Sequence, residues 1–276
     1  MRTDYFKLAI KNLGKRKVRS WLTVLGIVIS VAIIFVLISL SVGLREAINE
    51  QFQVLGTDKF FVLPKGQAGA PGSGGAVELT TADVNVIAKI PGVKDYTYVT
   101  AANAKVEFSG KIRYFMVVGI PLDRMKIFTE SVSLKMDEGK MLQENEKGKV
   151  MLGYDYKYNN VFSKPVKTGD NLLINGKEFR VAGIISKVGN PSDDKNIIMD
   201  IEDMKEFFNT GDRVDEIIVQ AQGNVEELAN KTERRLIQSR GVTEKTKDFT
   251  ISTPQELLSS FDTILNIITA FLVGVA

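Results

Sequence analysis

The sequence predicts an α+β domain carried between two membrane-directed helices. Three observations lead there. Ser20 to Leu44 holds no charged residue. The chain ends on a second charge-free stretch, Thr263 to Ala276. Between them, apolar residues recur at period two and at helical spacing, divided by Asn-Gly, Ser-Gly and Pro-Gly turns.

Composition narrows the chemistry. The 276 residues are 44% apolar and 25% charged, enough to fold around a core. Cys and His are both 0. Disulfides, thiolate metal sites, cysteine nucleophiles and histidine-based triads are therefore excluded. The net charge of +3 is uneven. Residues 1–20 hold seven basic groups against Asp4 alone, whereas residues 41–255 hold 29 basic and 30 acidic groups. A nucleic-acid binder would carry its excess on a folded face. Here it stands beside an apolar helix.

Residues 1–20 are expected to form a basic amphipathic arm, with Phe6, Ala9, Ile10 and Leu13 on one face and Lys7, Lys11 and Lys15 on another. Its charges alone also serve as an orientation signal. Residues 21–40 make a transmembrane helix of about 30 Å, matching a bilayer core. Trp21 marks its interface, and the preceding Lys/Arg cluster places the N-terminus in the cytoplasm. A secretory signal peptide, cut near Ser39-Leu40-Ser41, would usually have a shorter apolar run.

Residues 41–56 continue the helix as a stalk bearing Leu44, Ile48 and Phe52, ending at Gly56. The return helix occupies 253–276. Thr253 caps it, Pro254 takes the first helical position and Glu256 the third. Leu258, Phe261 and Leu265 form its stripe. The two stripes are expected to pack on each other and transmit force, or alternatively to pack under the domain. The final 14 residues are short of a bilayer by about six. The chain thus reads as part of a longer protein, with a truncated second span.

The extracytoplasmic domain, 57–252, is read as strand Asp58–Leu63, a glycine loop Gly66–Gly75, and a helix Thr81–Lys89 stopped by Pro91-Gly92. Two hairpins follow, across Ser109-Gly110 and Asn175-Gly176. Helix Ile201–Phe208 and strand Glu216–Ala221 come next. A helix capped by Asn224, with Glu227 at its third position, ends at Gly241. Asp248–Ser252 is the last strand. The stretch of about 109–212 is hairpin-rich and looks inserted between strand–helix–strand units.

No catalytic, cofactor or metal residue is assigned. No phosphate-binding G-x-x-x-x-G-K-[ST] occurs. Asp193-Asp194 is the best acid pair, but its turn-rich setting argues for a solvated loop. Ser186-Lys187 are sequence neighbours, which on a strand face opposite ways. Tyr154, Tyr156 and Tyr158 are spaced to line one face of a strand, for packing or a partner.

Residues 8–33, LAIKNLGKRKVRSWLTVLGIVISVAI, combine a basic arm, an Arg-Ser pair and a Leu-Thr-x-Leu-Gly-Ile run. Gly43-Leu44, Leu55-Gly56-Thr57, Pro91-Gly92-Val93, Val118-Gly119-Ile120, Met151-Leu152-Gly153, Gly169-Asp170 and Phe179–Ile184 follow in order. In this the chain resembles the MacB/FtsX-like family of ABC transporter permeases. The resemblance implies four membrane helices and one large extracytoplasmic domain. That domain would have a porter-like part (about 56–108 and 213–252) and the inserted part. It also implies a cell-membrane location, a second permease subunit (homo- or heterodimer), surrounding membrane lipid, and a cytoplasmic ABC ATPase on a separate chain. No cofactor or nucleic acid is implied. The expected function is coupling of ATP hydrolysis to motion of the outer domain, in efflux, lipoprotein release or envelope signalling. The alternative is a membrane-anchored binding or scaffold protein without an ATPase.

Overall fold

A computed structural model describes residues 17–55, 58–66, 77–158 and 161–275. The amphipathic arm up to residue 16 and most of the Gly66–Gly75 loop lie outside the described residues. The chain divides into two compact units, residues 1–51 with 255–276 and residues 52–254.

The first unit is built on two helices. α1, Lys17–Leu55, is a single helix of 39 residues, about 58 Å long. The helix continues without a break past the end of its charge-free run at Leu44, because no Gly or Pro interrupts the ladder between Arg45 and Leu55. α6, Pro254–Val275, starts where the Thr-Pro-x-Glu signature places it.

The second unit begins with β1 (Lys59–Pro64), β2 (Leu79–Thr80), α2 (Thr81–Ala88) and β3 (Val93–Phe108). In β1, Phe60 and Val62 turn inward by simple alternation. The Asp83 carboxylate accepts from the Thr80 backbone N–H at 2.8 Å and starts α2. β11 (Glu216–Ala221), α5 (Val225–Arg240) and β12 (Phe249–Ser252) complete this part. Its strands lie in the order β12-β1-β11-β3, all antiparallel. That is the order of a β-α-β-β-α-β ferredoxin-like unit. Phe60, Ile217, Val219, Phe249, Val84, Ile87, Leu228 and Leu236 form the core between this sheet and its helices.

β3 belongs to two structures at once. From Val93 to Val99 it pairs with β11, and from Thr100 onward with β4 (Lys111–Ile120). The Ser109-Gly110 hairpin forms as expected, both residues having positive φ (49° and 73°). α3 (Met125–Ser131), β5 (Met136–Gly139), β6 (Lys149–Leu152), β7 (Asn171–Ile174), β8 (Lys177–Ile185), β9 (Ile197–Asp200), α4 (Ile201–Phe208) and β10 (Arg213–Val214) follow.

Hairpins alone do not describe this middle segment. β4 pairs in parallel with β9, β9 with β6, β6 in parallel with β8, β8 with β7, and β7 returns to β3 through Val106 and Ile174. The ring of six strands closes into a small barrel, which leaves its strands no free edge there. Its interior is filled by Val106, Val117, Leu152, Tyr156, Phe162 and Phe179. Met204 of α4 plugs one end. The helix reaches that close because position 119 is glycine: a Cβ there would stand 2.6 Å from the Met204 Cβ. A third core, with Val99, Val118, Phe128, Ile198 and Ile218, lies on the other face of the same strands.

Candidate functional site

The residues expected to couple the helices are only partly described. Leu44 is exposed, and the side chains of Ile48 and Phe52 lie outside the described residues. On α6, Leu258 is half-buried, Phe261 is exposed and Leu265 is buried at 8% exposure. A polar contact joins α1 and α6. The Ser41 and Thr269 hydroxyls lie 2.7 Å apart, within the apolar length of each helix. Such a bond suits a medium without water, where an unpaired hydroxyl is costly. Among the described residues one helix, Trp21–Leu44, is long and apolar enough to cross a membrane.

The connection from the second unit into α6 is anchored by a network that the sequence did not reveal. Arg240, the last residue of α5, donates from Nη1 to Asp83 Oδ2 at 2.7 Å. It also donates from Nε and Nη2 to the two Asp248 oxygens at 2.9 and 2.7 Å. These hydrogen bonds hold the Asp248 carboxyl below the usual carboxylate range. The Asp248 carbonyl accepts from Lys65 N–H at 2.8 Å, tying the same point to the end of β1. β12 starts one residue later and leads through buried Thr253 into α6. Sequence separation hid this: Arg240 and Asp83 are 157 positions apart.

Two sequence expectations change. Asp194 is not in a solvated loop. It is 4% exposed and accepts from the Val188 and Gly189 N–H groups at 2.8 and 3.1 Å. Asp193 accepts from the Asn190 and Asn196 side-chain amides, and burial pushes its carboxyl up. The pair folds a loop back on itself, a structural duty. The three tyrosines do not share a face either. Tyr154–Lys157 is a 3₁₀ turn, so Tyr156 points into the barrel and donates to the Lys195 carbonyl at 3.1 Å. Tyr154 and Tyr158 meet outside, their hydroxyls 2.7 Å apart. Ser186 and Lys187 follow the end of β8, where Ser186 N–H bonds the Lys135 carbonyl. Among the described residues no three carboxylates converge as a metal site.

Comparisons place this architecture. An uncharacterized ABC transporter permease of Methanocaldococcus jannaschii is 29% identical over 276 residues, covering 99% of this chain and 67% of the relative. The macrolide export ATP-binding/permease protein MacB of Bdellovibrio bacteriovorus is 25% identical over 99% of this chain, which spans 44% of that protein. The chain therefore spans about two thirds of one relative and under half of the other. Among solved structures, the periplasmic region of MacB from Actinobacillus actinomycetemcomitans superposes with a TM-score of 0.63 at 20% identity, covering 78% of this chain and 98% of that one. The extracellular domain of the transporter YknZ from Gram-positive bacteria gives 0.55 at 14% identity, covering 70% of this chain and 99% of that one. Both share the fold of the second unit. The MacB-like periplasmic core domain family matches residues 20–235, most of the chain, and the chain belongs to that family, as a homologue of ABC transporter permeases.

Proposed function

We propose that the chain is the part of an ABC permease subunit that carries motion from a cytoplasmic ATPase to an extracytoplasmic domain. The observation that supports this most is α1. A helix free of charge over Trp21–Leu44 continues unbroken to Leu55, immediately before the MacB-like unit. An uninterrupted helix is stiff along its axis, so a displacement at its start is delivered at its end. A flexible linker would dissipate it.

The proposal has several parts. Residues 1–20 lie in the cytoplasm and residues of about 41–255 outside. α6 enters the membrane as the start of a second span. The ATPase sits on a separate chain and works on a pair of permease subunits. Leu44, Ile48, Phe52, Leu258, Phe261 and Leu265 carry force between the helices. The cargo or client is efflux substrate, released lipoprotein or an envelope enzyme under control.

Two measurements on the full reading frame, coexpressed with its ABC ATPase, test the reading. Ser192→Cys should react with a membrane-impermeant maleimide in intact cells and Thr3→Cys should not. Phe261→Asp should leave ATPase association intact and abolish stimulation of hydrolysis by the assembled complex. Reversed labelling ends the topology. Normal coupling in a well-folded Phe261→Asp protein ends the lever role. Failure of any ABC ATPase to associate favours the anchored binding protein instead.

A further inference from the structure

The third core is incompletely filled. A cavity of about 170 Å³ lies between the outer wall of the barrel and the sheet, beneath α3. Val118, Phe128 and Ile198 supply much of its apolar wall. Two acids, Glu216 and Asp193, and one amide, Asn196, interrupt it. No lysine or arginine lines it among the described residues.

Glu216 is the unusual wall residue. It opens β11, paired opposite Val99, on the same side of the strand as Ile218 of the third core. Glu216 is half-buried, and fully buried acids of this unit have partners: Asp215 accepts from Ala101 N–H and Arg213, Asp203 from Gly148 N–H, and Asp194 from Val188 and Gly189. The Glu216 carboxyl has no donor or cation within reach among the described residues. A carboxylate facing an apolar hollow without a partner is costly, and a cation in the hollow removes that cost.

We propose that this cavity binds a compact lipophilic ammonium compound. Its apolar body rests on Val118, Phe128 and Ile198, and its N–H groups donate to the Glu216 carboxylate. Size supports a body of about one ring, since an apolar cavity of about 150 Å³ accommodates benzene. Asp193, also on the wall, adds negative potential and disfavours anions. The site is independent of the ATPase coupling proposed above.

The site is linked to protons. Burial pushes the Glu216 carboxyl up to about 7. Few other charges face it. Asp193 shares the cavity, Lys59 on β1 is bound to Asp58, and Lys126 and Glu130 of α3 are exposed to solvent. Asp215 is engaged with Arg213. Binding an ammonium ion requires ionised Glu216, so affinity rises with pH up to about 7 and then levels. Between pH 6 and pH 8 the gain is about tenfold.

The test uses the whole chain in lipid nanodiscs, with empty nanodiscs subtracted, titrated with benzylammonium by calorimetry. Benzyl alcohol and benzoate serve as neutral and anionic comparators. The expected result is saturable benzylammonium binding, about tenfold tighter at pH 8 than at pH 6, and tighter than either comparator. Glu216→Gln should weaken benzylammonium at least tenfold at pH 8 while benzyl alcohol binds as before. Glu216→Asp, which keeps the charge, should retain the pH dependence. The proposal is overturned by benzylammonium binding no tighter than benzyl alcohol at pH 8, by undiminished binding in Glu216→Gln, by loss of pH dependence in a folded Glu216→Asp protein, or by no saturable signal above empty nanodiscs.

Discussion

Arg240→Met removes a guanidinium that serves three segments while keeping an unbranched, helix-compatible side chain. Asp83 is left 5% exposed and Asp248 21% exposed, both without their cation. Asp83 keeps the Thr80 N–H and hydroxyl, so its desolvation is partly met. Asp248 loses two side-chain donors. Breaking a buried pair costs about 3–5 kcal/mol, and partial exposure of Asp248 argues for the lower end, about 3 kcal/mol. The pH sign follows from Asp248, whose carboxyl is held below its ordinary value by Arg240. Its stabilisation is fully present above the unfolded carboxylate range. It is lost as pH falls through the lower native value. The gap between Arg240→Met and the parent should therefore be largest near neutral pH and should narrow in strong acid. Urea unfolding of the chain in mild detergent, followed by far-UV circular dichroism, gives both numbers. Arg240→Met with Asp83→Asn and Asp248→Asn should recover part of the loss, because the orphaned charges go too. A loss under about 1 kcal/mol at pH 7, or one that persists undiminished in acid, would refute the account.

Three more expectations concern single residues. Glu216 is pushed up to about 7 from 4.5, so the native state holds its proton longer and stability falls as pH rises between those values. Glu216→Gln should thus unfold at higher urea above pH 7, by up to about 3 kcal/mol, with little change at pH 4; a uniform shift at both would contradict the titration. Gly153→Ala places a Cβ 2.4 Å from the Asp194 carbonyl oxygen, and overpacking against backbone should cost about 1–3 kcal/mol in thermal melts. An unchanged melting temperature there would mean the loop yields freely. Tyr156→Phe loses the bond to the Lys195 carbonyl and should cost about 1 kcal/mol or more, whereas Tyr154→Phe, exposed beside Tyr158, should cost less. Chemical denaturation of both variants checks the ranking.

What the sequence disclosed depends on distance along the chain. Asn175-Gly176 reads as a tight turn because both residues must take positive φ, and they do, at 47° and 88°. Asn224 caps α5 by accepting from Glu227 N–H at 3.0 Å, and Gly241 ends it at φ 65°. These signals are local chemistry. The barrel was not legible, because its closing contact joins Val106 to Ile174 and its parallel pairs join strands whose paired stretches are similar short apolar runs. Pattern fixes which face a strand buries and leaves its neighbours open. Tyr154, Tyr156 and Tyr158 misled for a related reason. Their spacing of two suits a strand, but the segment after Gly153 turns as a 3₁₀ helix, where residues three apart align.

The same principle separates two acids, buried Asp194 and half-buried Glu216. Asp194 sits in Asn-Pro-Ser-Asp-Asp, a turn sequence, and its donors Val188 and Gly189 are five or six residues away. A careful sequence reading could have found a self-closing loop there, in place of a solvated one. Glu216 offers no such route. It begins a strand whose next five residues are all buried, and an acid at the first position of such a strand reads from sequence as an ordinary sheet margin. Its distinction is that nothing pairs with it among the described residues, and absence of a partner is a property of the fold rather than of a sequence neighbourhood. It emerges only when β3, β9, α3 and the 186–196 loop are assembled around it, from residues as far off in sequence as Val99. Groups satisfied by neighbours in sequence can be assigned from sequence. A group left unsatisfied by the complete fold can be found only in the fold, and that is where a ligand has reason to bind.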